Sequence, residues 1–162
     1  MKFIADAMLG KLARWLRLAG QDVVYIGDLQ TPGGEQDAAL IKRAKVDGRT
    51  LLTCDIGLHR RAKRAGARSV FIRGADVARQ LVQVSKQSGR DIRIDLRSSR
   101  CPICNGRLRL VGKGEVLSEV PNSVFETHEE FWRCGDCGKT YWEGKHWKTI
   151  IEMAERYKRM LR

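Results

Sequence analysis

Residues 1–88 carry two apolar rhythms in turn. Short apolar runs, FIA, VVYI, LLT and VFI, predict strands near 2–6, 22–27, 50–54 and 68–73. Between them, apolar residues recur at three- and four-residue spacing, which predicts helices near 8–19, 35–46, 57–65 and 75–88. Gly20, Gly48 and Gly66 stand where the helices should stop, as helix-ending glycines do. Strand and helix in alternation predict an α/β fold, a parallel sheet with crossover helices on its faces.

The pattern then changes. A polar stretch, SGRDIRIDLRSSR, holds one further candidate strand, IRIDL, and leads into short β-like pieces, RLRLV and EFWRC, between glycine-rich turns. The last segment, HWKTIIEMAERYKRML, sets Trp147, Ile150, Ile151, Ala154, Tyr157 and Leu161 on one helical stripe. Two units are expected, 1–97 and 98–162, the second being a small cysteine-bearing module with a C-terminal helix. No internal repeat or low-complexity tract interrupts them.

Composition changes this picture in one respect. The 162 residues carry a formal net charge of +12, and residues 1–100 hold 20 Lys and Arg against 10 Asp and Glu. The basic character therefore belongs to the first unit and favours a polyanion, of which nucleic acid is the commonest in the cytosol. A plain solubility charge is the alternative. Acids and bases break the apolar N-terminal stretch, unlike a signal peptide, and no run reaches membrane-spanning length. The expectation is a cytoplasmic protein with reduced cysteines.

Four of the apolar runs close on or near an aspartate, at Asp6, Asp28, Asp55 and Asp76. In a parallel sheet these carboxylates gather at the edge where open α/β sheets bind ligands. Asp6 and Asp55 also immediately precede helices, whose N-termini suit a phosphate. Asp37 shares a helix face with Leu40, Ile41 and Ala44 and is expected to point inward; a first-turn acid favoured by the helix dipole is the other reading. Carboxylates that crowd together repel unless they share a cation, and hard oxygen ligands suit Mg²⁺ or Mn²⁺. Asp6, Asp37 and Asp55 are the candidate catalytic ligands, Asp76 an outer one, and Asp28 a turn residue.

The cysteines give a sharper signal. CPIC (101–104) and CGDC (134–137) are two Cys-x-x-Cys pairs 29 residues apart, the spacing of a four-thiolate zinc ribbon. Cys101, Cys104, Cys134 and Cys137 fill every position on the metal, so that zinc would be structural. Redox disulfides are the rival reading. Phe131, Trp132, Tyr141, Trp142 and Trp147 are either base-stacking residues or, more in keeping with a small module, its own core.

Basic residues cluster beside the same carboxylates. Lys11, Arg14 and Arg17 follow Asp6, and Arg60, Arg61, Lys63 and Arg64 follow Asp55 in the run HRRAKR. They are candidate phosphate contacts that track a backbone without reading sequence; a solvated face is the alternative. Cys54 and Arg60 also match the Cys-x5-Arg spacing of cysteine phosphatases, a match that arginine-rich chains make by chance. His59, His128 and His146 fall at no ligand spacing.

Four segments, DAMLGKLARWLRLAGQDV, GRTLLTCDIGL, CPICNGRL and FWRCGDCGKTYWEGKHWKTI, resemble the Mut-seven C-terminal RNase domain family. The resemblance spans nearly the whole chain. It implies a PIN-like nuclease fold followed by a zinc ribbon, and a metal-dependent ribonuclease acting on RNA, single-stranded or structured as in tRNA. Its acidic residues correspond to Asp6, Asp37 and Asp55, with Asp76 a fourth, and cleavage is expected to leave 5′-phosphate and 3′-hydroxyl ends. Cys54, where arginine is expected, and the loop TPGGEQD, less acidic than usual, depart from the pattern. The family also includes members that bind RNA without cutting it, so a non-catalytic RNA-binding or adaptor module is the alternative.

Overall fold

The computed structural model describes residues 1–89, 91–95 and 97–162. Four strands, β1 (Lys2–Ala5), β2 (Asp22–Tyr25), β3 (Thr50–Thr53) and β4 (Ser69–Phe71), alternate with helices α1 (Gly10–Leu18), α2 (Gln36–Val46), α3 (Ile56–Arg64) and α4 (Val77–Ser88). The strands are all parallel and lie in the order β2-β1-β3-β4. Gly20, Gly48, Gly66 and Gly89 end the four helices with positive φ, the conformation that a side chain would oppose.

Alternate residues of β1 feed two cores, as the pleat requires. Phe3 and Ala5 pack with Leu12, Leu16, Leu81 and Val84 on the α1 and α4 side, whereas Ile4 joins Leu40, Ala44, Leu58 and Ala62 on the α2 and α3 side. The sheet is thus covered on both faces, which is why its strands read as continuous apolar runs.

After α4 the chain runs without regular structure through 91–95, so no strand forms there; Leu96, the last residue of IRIDL, lies outside the described residues. A second, antiparallel sheet follows in the order β5-β6-β7, from β5 (Leu108–Val111), β6 (Phe131–Cys134) and β7 (Thr140–Tyr141). A short helix, α5 (Asn122–Thr127), precedes β6. Phe131 packs with Val111, Val116 and Val120, and Trp142 lies against them. Phe131 and Trp132 are buried, so these aromatics serve the module's interior.

The last helix, α6 (Lys145–Leu161), packs against α4 and away from this small sheet. Tyr157 is 1% exposed within the first core, and its hydroxyl donates to Ser85 Oγ at 2.9 Å and accepts from the Ile92 N–H at 3.1 Å. The helix grouped with the module by sequence position therefore completes the first unit. No helix among the described residues is long and apolar enough to cross a membrane.

Candidate active site and metal centre

The order β2-β1-β3-β4 sends the chain from β1 to one neighbour and then back to the other side, so the order of connection reverses between the parallel strands β1 and β3. Ligands of open α/β sheets bind in the crevice beyond the carboxyl ends of such a strand pair. Asp6 follows β1 and Asp55 follows β3, so both stand at that edge.

Thr53 joins them. Its hydroxyl donates to Asp6 Oδ2 and accepts the Asp55 N–H at 2.9 Å, and Thr53 is fully buried. Asp6 is 6% exposed; its Oδ1 accepts from Met8 N–H at 3.0 Å and its Oδ2 also accepts from Cys54 N–H at 3.1 Å. A buried carboxylate with three donors is held in one orientation. Asp55 is exposed and caps α3: Oδ1 accepts from the N–H groups of Gly57 at 2.6 Å and Leu58 at 3.0 Å. Asp55 Oδ2 makes no hydrogen bond among the described residues.

The other two aspartates are placed differently. Asp37 is half exposed and ion-paired with Arg61, so it faces α3 and does not point into the core. Asp76 caps α4 through Arg79 N–H and pairs with Arg156 of α6 at 2.7 Å. The Arg79 N–H and Arg156 bonds hold its carboxyl below the ordinary range. It works as a fastener for α6. Among the described residues, carboxylate oxygens of Asp6, Asp37 and Asp55 do not form a metal-sized cluster, whereas the four cysteines do.

Of the candidate phosphate contacts, Lys11, Arg14, Arg60, Arg61, Lys63 and Arg64 are exposed. Arg17 is the correction. It is 2% exposed and donates from Nε and Nη2 to Val23 O, from Nη1 to Pro102 O and Ile103 O, and pairs with Asp28 at 2.7 Å. Every donor direction is engaged, so Arg17 cannot track a phosphate. It ties α1 and β2 to the first cysteine turn.

That turn is docked a second way. Asn105, with φ +70°, accepts the edge-strand N–H of Val23 at 2.9 Å and donates to Asp22 Oδ1 at 2.8 Å. Asparagine tolerates this left-handed backbone because its short polar side chain bonds locally. Asp22 also takes a bidentate pair from Arg49, at 2.8 and 3.2 Å.

The four Sγ atoms of Cys101, Cys104, Cys134 and Cys137 lie within 4.8 Å of one another. A Cβ on Gly106 would come 2.6 Å from Cys134 Sγ, so only glycine lets the turn close on the sulfurs. Burial opposes ionisation of Cys101, but bonds from Tyr141 and the backbone bring it down to about 7. Burial and the neighbouring thiols push Cys104 up to about 12. Thiols so placed cannot all ionise without a cation, and four sulfur donors suit a metal such as zinc.

Cys54 does not behave as a phosphatase nucleophile. Burial, and then the Asp6 charge, push its thiol up, away from the thiolate that chemistry needs. His59 bonds Ser69 Oγ at 2.9 Å, and burial followed by Lys63 and Arg60 lowers its pKa from the ordinary value.

Residues 1–154 match the model of the Mut7-C RNAse domain. The chain belongs to that family. Neither the curated proteins nor the solved structures gave a match. Membership in a family described as an RNase domain supports a ribonuclease-type function with RNA as the substrate class. In this Mut7-C RNAse domain the residue of the candidate site that sequence patterning passed over is Thr53, which bonds Asp6 and the Asp55 backbone. Its signal was a polar residue closing the apolar run LLT just ahead of Cys54 and Asp55.

Proposed function

We propose that this chain is a divalent-metal-dependent ribonuclease that hydrolyses RNA phosphodiester bonds at Asp6 and Asp55, with Asp37 joining them and Asp76 at the periphery. One observation carries the reading: two carboxylates at adjacent strand ends of the switch point, coupled through Thr53. The donor set is all carboxylate oxygen, which suits Mg²⁺ or Mn²⁺, and the unengaged Asp55 Oδ2 is the oxygen available to it. Bound there, such an ion supplies Lewis-acid charge and makes water a better nucleophile. Asp6, fixed by three donors, sets the orientation of the site, and Asp37 must leave Arg61 to take part. Lys11, Arg14 and Arg60 supply the positive field that holds a phosphate backbone at this edge, whereas Lys63 and Arg64 end α3 toward the amino edge of the sheet. Zinc on the four cysteines holds the ribbon and, through it, the edge of the sheet, in a reducing compartment such as the cytoplasm.

The test uses full-length zinc-loaded protein with end-labelled single-stranded RNA and a tRNA, each with Mg²⁺ or Mn²⁺. Asp6→Asn and Asp55→Asn should abolish cleavage and leave RNA binding intact or tighter. If no cleavage sensitive to these substitutions is found, the nuclease reading fails. The second reading, a non-catalytic RNA-binding module, is favoured by the Asp37–Arg61 pair, which occupies a candidate ligand. Its signature would be metal-independent, salt-steep binding without product.

A further inference from the structure

Beside Asp6 the carboxyl edge opens into a cleft of about 580 Å³, lined by Met8, Lys11, Cys54, Phe71, Arg73 and Gln80 among others. The volume lies in the range of small-ligand sites, roughly 300–1,000 Å³. Two of its wall residues hold the Asp6 carboxylate, through the N–H groups of Met8 and Cys54. A larger groove, about 780 Å³, lies at the opposite, amino edge of the sheet, away from the carboxylates.

We propose that this cleft seats one nucleotide of single-stranded RNA, its base between Met8 and the Arg73 guanidinium and an adjoining phosphate on Lys11. This rests on the site being an RNA site. Three observations lead to it. The Arg73 guanidinium carbon lies 5.6 Å from the Phe71 ring centroid, so an aromatic face supports a planar cation that can itself stack on a base. Neither Arg73 nor Lys11 has an ion pair among the described residues, so both charges remain available to an anion. Met8 is 78% exposed, a polarisable side chain left at the cleft mouth with no packing role.

The wall is built in advance. Gln83 accepts the Arg73 N–H and donates to the Arg73 carbonyl, both at 2.9 Å, and Gln80 donates to Gly74 O at 2.6 Å. Two glutamines of α4 thereby fix the loop after β4, so Arg73 loses little backbone freedom on binding. Stacking tolerates any base, and Gln80 also lines the cleft.

The closing experiment titrates six-nucleotide single-stranded oligo-A, oligo-C and oligo-U RNAs into full-length, zinc-loaded Asp6→Asn protein labelled with ¹³C-methyl methionine. Asparagine keeps the Oδ1 acceptor for Met8 N–H. The chain has four methionines, and Met8→Leu assigns the Met8 signal. The Met8 methyl should shift with RNA, and Arg73→Ala and Lys11→Ala should each weaken binding about tenfold. Binding that leaves Met8 unmoved, or that ignores both substitutions, overturns the cleft, as does no binding at all. The nuclease reading fails separately, if wild-type protein makes no product while Met8 still responds.

Discussion

Thr53 is a small residue with a large share in the site. Among the described residues it is the one side chain bonded both to Asp6 and to the backbone of Asp55, and it is fully buried. Thr53→Val keeps the shape and removes both bonds, leaving an Asp6 oxygen and the Asp55 N–H less satisfied. A loss of about 1–3 kcal/mol in urea unfolding is expected. Cleavage should fall by roughly 10²-fold, because small misplacement of a catalytic group is costly. Single-turnover rates at saturating metal would check it; an unchanged rate would show that Asp6 needs no positioning by Thr53. At this scale the placement of Asp6 and Asp55 and the closeness of the four cysteines were legible, because strand ends and Cys-x-x-Cys pairs are positional signals; Asp37, expected to point inward, pairs with Arg61 instead. Arg17 was not. Its three-residue spacing from Arg14 and Lys11 reads as a solvent stripe, but each step of three turns a helix by about 300°. Arg17 thus stands about 120° round from Lys11, next to the Ala13 and Leu16 face, where it is buried.

Among the elements, the coupling between sheet and cysteine turn stands out. Arg17→Ala leaves Val23 O, Pro102 O, Ile103 O and Asp28 without their donor. Breaking one side of a buried charged network should cost about 3–5 kcal/mol, which denaturant unfolding of the zinc-loaded chain would report. Asp22 adds a pH dependence to the same seam. Burial pushes its carboxyl up, but bonds from Arg49 and Asn105 outweigh that and hold it below the ordinary value. A carboxyl lowered in the folded state stabilises the fold at pH above the ordinary value, near 3.8, and the gain is lost as pH falls through the lowered one. Asp22→Asn should therefore flatten the acid limb of the stability curve, and an unaltered limb would exclude Asp22 as its source. The strands and helices of the sheet were legible because their periods differ cleanly. Alternation of apolar runs cannot reveal which loop docks where, so the Arg17 and Asn105 contacts stayed hidden until β2 and the first cysteine turn were seen together. Helix α6 was read correctly as an amphipathic stripe, but its partner α4 lies far back along the chain, and a stripe does not name what it packs on.

For the molecule as a whole, the proposed function makes charge and metal the quantities to vary. Three exposed cations on the carboxylate side, Lys11, Arg14 and Arg60, have no ion pair among the described residues. If all three meet phosphates, the logarithm of affinity for single-stranded RNA should fall with the logarithm of salt at a slope of about −2. A slope near zero would exclude a backbone-tracking surface. Stripping metal from the four thiols should release the ribbon and loosen β2 through Arg17 and Asn105, lowering the unfolding midpoint of the entire chain. Cys104→Ser with metal analysis would check this, and an unchanged midpoint would mean the two parts fold independently.

One contact already described also governs when the protein can come into being. Tyr157 closes a core whose other members, Leu81 and Val84 among them, are made some 70 residues earlier. Chains fold from the N-terminus as they are synthesised. The sheet and its first four helices must wait, part of their apolar face uncovered, until the cysteine turns have been made and α6 has emerged. A chain truncated before α6 would thus be an open half-structure with Asp76 unfastened and exposed to proteases.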